Sequence, residues 1–247
     1  MKLPKALDVY IKKTRTYFFG LLAITPLLVL YESATEYLSR PVPGVVVAAA
    51  EKRNSAELLV KRALWYTKLR KNWMQWGAFG ALVAGSFWLA KQQGNVDFKL
   101  VHFPYLIFES LIYALFFGFA ISKVRGLMNL QADGATQNTM AKEMLLAAGA
   151  GIYEELLFRL LLLSVLAYVF RKVVSAKPML HNTLAILLSA AIFSLYHYWT
   201  YADVPSVDSF LFRLYAGSIL GILFVLRGVG VSVYTHAFYN LFLLFRG

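Results

Sequence analysis

The chain contains no cysteine. That excludes disulfides, a thiol nucleophile and any cysteine-ligated zinc or iron–sulfur site. Charge is also scarce. Only 15% of the 247 residues are Asp, Glu, Lys or Arg, where a soluble domain carries about 25%. Acid is scarcer than base, at 13 residues against 25. There is no His-Glu-x-x-His helix and no Gly-x-Ser-x-Gly elbow, so Ser194, Thr200 and Thr235 lack the setting of a hydroxyl nucleophile. No internal repeat, low-complexity tract or soluble domain is apparent.

What the chain does have is hydrocarbon: 59% of its residues are hydrophobic and its mean hydropathy is +0.58. An unusually large soluble core does not account for this, because several apolar runs approach or exceed the ~18–20 residues a spanning helix needs. Spans are predicted at about 17–31, 73–90, 103–121, 147–170, 184–198, 210–226 and 229–245, with an eighth crossing an option at 42–50. Segments of this length are helices rather than barrel strands. The expected fold is therefore all-α: a polytopic, multi-pass integral membrane protein of about seven to eight transmembrane helices around a polar intramembrane cavity. If the source is bacterial, it belongs in the cell membrane.

The net charge of +12 fits this reading without nucleic acid. Cytoplasmic loops collect Lys and Arg, and anionic headgroups of the bilayer attract them. The basic start (Lys2, Lys5, Lys12, Lys13, Arg15) lacks a clean cleavage pattern and reads as the lead into an uncleaved first helix. Residues 56–72 alternate Leu and Trp with Lys and Arg, as an interfacial helix does. With seven spans and a cytoplasmic N-terminus, that segment falls on the outer side, against the positive-inside tendency. An extra crossing at 42–50, or a first segment that does not cross, removes the conflict.

Three polar clusters interrupt the apolar C-terminal half: Glu154-Glu155-Leu-Leu-Phe-Arg159, Phe193-Ser-Leu-Tyr-His197 and His236-Ala-Phe-Tyr-Asn240. An ionisable residue in a membrane helix is by default a statement about function. Glu155 precedes Arg159 by four residues, the favourable order for an intrahelical pair, and pairing lowers the cost of both charges. Glu154 points about 100° away on a helix, which suits it to the role of base, with desolvation raising its proton affinity. Glutamates that only hold helices together, or that relay protons in a transporter, are the alternatives. His236 and Asn240 share a helix face and offer two donors for an oxyanion. Activated water is the simplest nucleophile. A zinc or other divalent cation on Glu154, His197 and His236 is a further option. Glu109 and Arg213 lie within apolar spans, where pairing with each other or facing a cavity would accommodate them.

The order Glu-Glu-x-x-x-Arg, Phe-x-x-x-His, His-x-x-x-Asn, each on a hydrophobic helix, resembles the CPBP family of CAAX proteases and bacteriocin-processing proteins, over about residues 140–245. Gly217 and Gly221 resemble that family's small-residue helix face. The resemblance implies an intramembrane endopeptidase, glutamate-dependent or metallo. Glu154 and His197 would activate water, His236 and Asn240 would hold the oxyanion, and Glu155, Arg159 and Phe193 would support them. The chain is expected to divide into N-terminal membrane helices with a basic interfacial segment over 1–135, which carry no family signal beyond hydrophobicity, and a catalytic helical core over 136–247; the resemblance implies a membrane-anchored peptide or protein substrate, prenylated or not. A non-enzymatic transporter or a bacteriocin-immunity-type binding protein could use the same polar groups; the absence of an inverted repeat favours the enzyme.

Overall fold

The computed structural model describes residues 4–38, 55–65, 73–92, 98–127, 140–174, 177–200 and 205–244. Every element among them is helical: α1 (Lys5–Thr14), α2 (Tyr17–Leu38), α3 (Ser55–Trp65), α4 (Trp73–Gln92), α5 (His102–Leu127), α6 (Met140–Glu154), a π-helical segment (Glu155–Leu163), α7 (Ser164–Val173), α8 (Pro178–Thr200), α9 (Val207–Arg227) and α10 (Val229–Leu244). Among the described residues four stretches are long and apolar enough to cross a bilayer: Tyr17–Tyr37, His102–Val124, Pro178–Trp199 and Val207–Arg227. The protein is an all-α integral membrane protein. The optional crossing at 42–50 and residues 66–72 of the basic segment lie outside the described residues. The predicted single span 147–170 is instead a continuous helical run whose middle, from Glu155 to Leu163, is π-wound.

α10 is the centre of the bundle. Residues Val229 to Ala237 are buried on every side of it, as expected for a helix apolar all round. It packs on α2, α5, α6 and α9. Small residues make that approach possible. A Cβ on Gly151 would stand 2.7 Å from the Ala237 nitrogen, and one on Gly20 would stand 3.0 Å from the Gly230 nitrogen. α8 and α9 pair in the same manner, because a Cβ on Gly217 would lie 3.2 Å from the Ala190 Cβ. Gly217 and Gly221 thus form the small-residue face expected of them.

At one end of the bundle, α1 is tied to the turn between α9 and α10. Arg227 donates to Glu109 through Nε at 2.5 Å and Nη2 at 2.7 Å, and Nη2 also reaches Thr14 Oγ1 at 3.1 Å. Tyr10 donates to the same carboxylate at 2.6 Å. Burial first, and the Glu109 carboxylate second, push the Tyr10 hydroxyl above the usual phenol range. The turn itself needs glycine: Gly228 has φ +85°, and a Cβ there would meet the Arg15 carbonyl oxygen at 2.6 Å. The expected pairing of Glu109 with Arg213 is therefore replaced by Glu109 with Arg227. Arg213 instead donates to Ser209 on its own helix and lies over the Tyr198 ring at 5.4 Å. His181 is buried and donates Nε2–H to the Val174 carbonyl at the end of α7, at 2.9 Å.

The packing of α6 on α10 yields a paired test. Gly151→Ala must push α10 aside and is expected to cost about 1–3 kcal/mol. Gly80→Ala, where nothing stands within 4 Å of the added Cβ, should leave the melting temperature in detergent unchanged or slightly raised. Equal melting temperatures for the two variants would contradict the close approach.

Candidate active site

The end of α6, the π segment and α10 bring the first and third polar clusters together. Glu155 is fully buried at their junction. Its Oε1 receives Arg159 Nη1 at 2.9 Å and His236 Nδ1 at 2.9 Å, and its Oε2 accepts from Ser232. An ionised carboxylate can only accept. His236 therefore carries a proton on Nδ1, and Nε2 is its other ring nitrogen. That nitrogen lies 4.0 Å from Glu154 Oε2. Glu154 and His236 are both buried, so a lone imidazole faces two adjacent carboxylates, one behind it and one in front.

Arg159 neutralises Glu155 and connects this centre to α8 and α9. Its Nη2 donates to the Gly217 carbonyl at 3.3 Å, and its guanidinium lies over the Phe193 ring at 4.7 Å. Phe193 in turn meets the His197 ring edge-on at 4.7 Å. The His197 Nδ1 stands 3.0 Å from the Phe193 carbonyl, so Nδ1 is the donor there. Phe158 extends the aromatic wall against Phe193 at 5.2 Å and Tyr196 at 5.3 Å. Asn240 sits one turn beyond His236 and uses an Nδ2 hydrogen on the Ala147 carbonyl at 3.3 Å, leaving its second amide hydrogen for another acceptor.

The predicted site residues thus divide into three groups. Glu154, Glu155, Arg159 and His236 form one contiguous cluster. Phe193 and His197 join it through the Arg159 guanidinium, and Asn240 flanks it on α10. Among the described residues no three His, Asp or Glu side chains gather to hold a metal ion. The expected zinc set of Glu154, His197 and His236 is not assembled as such, and one of the two His236 nitrogens is committed to Glu155. Ser232 was not predicted, although it lies four residues before His236 and so on the same helix face.

Beside the cluster runs a cavity of about 710 Å³ between α2, α4 and the π segment. Leu156, Leu157, Leu160 and Phe79 line it, and Glu32 and Tyr153 supply polar wall; Glu154 and His236 are not among its lining residues. The open space is thus largely apolar, while the ionisable groups are packed against one another.

Residues 136–242 match the family model of the Type II CAAX prenyl endopeptidase Rce1-like proteins. The match contains all three polar clusters and agrees with the resemblance read from them. It supports a protease of CAAX type acting on membrane-associated substrates. No curated protein and no solved structure matches the chain.

Arg159 is the member whose loss harms folding most directly. Removing one partner of a buried ion pair costs about 3–5 kcal/mol. Arg159→Ala is therefore expected to lower the yield of monodisperse protein sharply in size-exclusion chromatography, and Arg159→Lys to restore part of it. A wild-type yield for Arg159→Ala would show that Glu155 does not need this partner.

Proposed function

We propose, on the premise that an Rce1-like CAAX endopeptidase domain occupies residues 136–242, that Glu154 and His236 are the reacting pair of an intramembrane peptide-bond hydrolase. The observation that carries this reading is the buried imidazole of His236, held through Nδ1 on Glu155 with Nε2 4.0 Å from Glu154. A water with legs of roughly 2.8 Å can bridge two groups at that separation. Glu154 takes one proton from the water as its oxygen attacks the scissile carbonyl carbon. His197, steadied through Nδ1, shares the water through Nε2. His236 enters the cycle as the imidazolium between Glu154 and Glu155 and keeps both protons throughout, so the developing oxyanion is met by its Nε2–H and by the second amide hydrogen of Asn240. When the tetrahedral species collapses, the proton on Glu154 passes to the leaving amine, and the base is regenerated.

Glu155 and Arg159 fix the His236 ring and take no part in bond making. The reading routes no step through a metal, because the donor set does not converge on one. The substrate is a membrane-anchored peptide or protein, a prenylated C-terminal segment among them.

The test is cleavage of farnesylated and unlipidated membrane peptides by purified protein in detergent, read by mass spectrometry. Glu154→Gln is expected to lower the rate at least about 10²-fold at unchanged yield of folded protein, and a chelator should leave the wild-type cut intact. Full activity of Glu154→Gln would remove Glu154 as the base. A cut abolished by chelator and restored by zinc would overturn the metal-free mechanism.

A further inference from the structure

A second buried polar cluster lies on the opposite side of α6, and its acidic and basic members come from helices outside the family match. Tyr153 donates its hydroxyl to Glu32 of α2. Lys61 of α3 bridges Glu32 at 3.2 Å and Glu57 at 2.5 Å. Tyr31 donates to Glu57, which is fully buried. The Tyr31 and Tyr153 rings meet edge-on at 5.8 Å, and Gly149 admits Tyr31 against α6. The cluster couples α2 and α3 to α6 across apolar surroundings, where each hydrogen bond to a carboxylate is worth more than in water.

Its position along the chain is the informative part. Tyr153, Glu154 and Glu155 are consecutive, and the winding changes from α to π at Glu155. Tyr153 is tethered to α2, Glu155 is tethered to α10, and Glu154 lies between the two anchors. The rotation of the helix about its axis at Glu154 is therefore set from both sides. Loss of either anchor removes one of the two constraints on that rotation, and a small rotation moves the Glu154 carboxylate relative to His236 Nε2.

We propose that Glu32 and Tyr153 are positioning residues for Glu154: their hydrogen bond, with Glu32 held by Lys61, fixes the angle at which Glu154 faces His236. The inference rests on the role proposed above for Glu154. It assigns to the N-terminal helices a part in the reaction that residues 136–242 do not supply by themselves. Neither Glu32 nor Tyr153 touches the reacting atoms. Both act through the orientation of the α6 backbone.

Tyr153→Phe, Glu32→Gln, the double variant and Tyr31→Phe are compared in the same peptide-cleavage assay, beside wild type and Glu154→Gln. Tyr31→Phe is the control, because it deletes the same kind of hydroxyl–carboxylate bond within the same cluster but away from Glu154. A misplaced catalytic group costs up to about a hundredfold, so Tyr153→Phe and Glu32→Gln are each expected to lower kcat about tenfold or more with KM within about twofold. The double variant should be no slower than the slower single, since both singles break one bond. Tyr31→Phe should keep wild-type kcat at a comparable shift in melting temperature. Wild-type kcat in Tyr153→Phe, or equal losses of kcat in Tyr153→Phe and Tyr31→Phe, would overturn the positioning role while leaving the proposed function intact. A wild type that cuts nothing, or an active Glu154→Gln, would remove the proposed function and this inference together.

Discussion

Everything in the C-terminal half is arranged around one buried ion pair. Glu155 and Arg159 are almost wholly inaccessible, in a setting where an isolated charge is tolerated only when it is paired and hydrogen-bonded. Each therefore recruits partners from other helices. Glu155 draws in Ser232 and His236 from α10; Arg159 draws in the Gly217 carbonyl from α9 and the Phe193 ring from α8. Four separately encoded elements thus meet at one point because two charges have to be satisfied there. The reactive groups are a consequence of this arrangement. His236 is oriented because Glu155 needs a donor, and Phe193 carries His197 to the same wall because a guanidinium stacks on an aromatic face.

Local spacing made the pair legible in advance. Residues four apart share a helix face, so Glu155 with Arg159, and His236 with Asn240, could be read directly from the chain. Ser232 obeys the same rule and could have been read the same way. The long-range choices could not. Glu109 had two arginines within reach in principle, and only the packing of α1 against the α9–α10 turn decides for Arg227. The Tyr153–Glu32 and Lys61–Glu32 contacts join segments whose separation encodes nothing about their meeting. The π winding was also invisible, since it is imposed by partners on other helices rather than by the apolar pattern of Leu156 to Leu163.

The two halves of the chain are unequal in what they disclose. The segment that matches the Rce1-like family holds the charged motifs, and a bare apolar pattern describes most of what precedes it. Yet the N-terminal helices are not mere lipid filler. α2 and α3 place two carboxylates and a lysine against α6, and α1 clamps the turn that begins α10. Membrane helices with few polar residues still determine geometry when those residues face inward, because each must find a partner within the bundle.

The π segment has a consequence for the outer surface of the protein. A π turn takes up more residues than an α turn, so every side chain after Leu163 is rotated relative to a straight α-helical continuation. As built, α7 turns Ala167 inward and leaves Val165, Tyr168 and Val169 on the outside. Wound as α throughout, the same sequence would put that small residue and those bulky ones out of phase with α8. The widened turns thus act as a phase shifter between two amphipathic faces: one that must aim two glutamates at α10, and one that must show bulky hydrocarbon to the lipid.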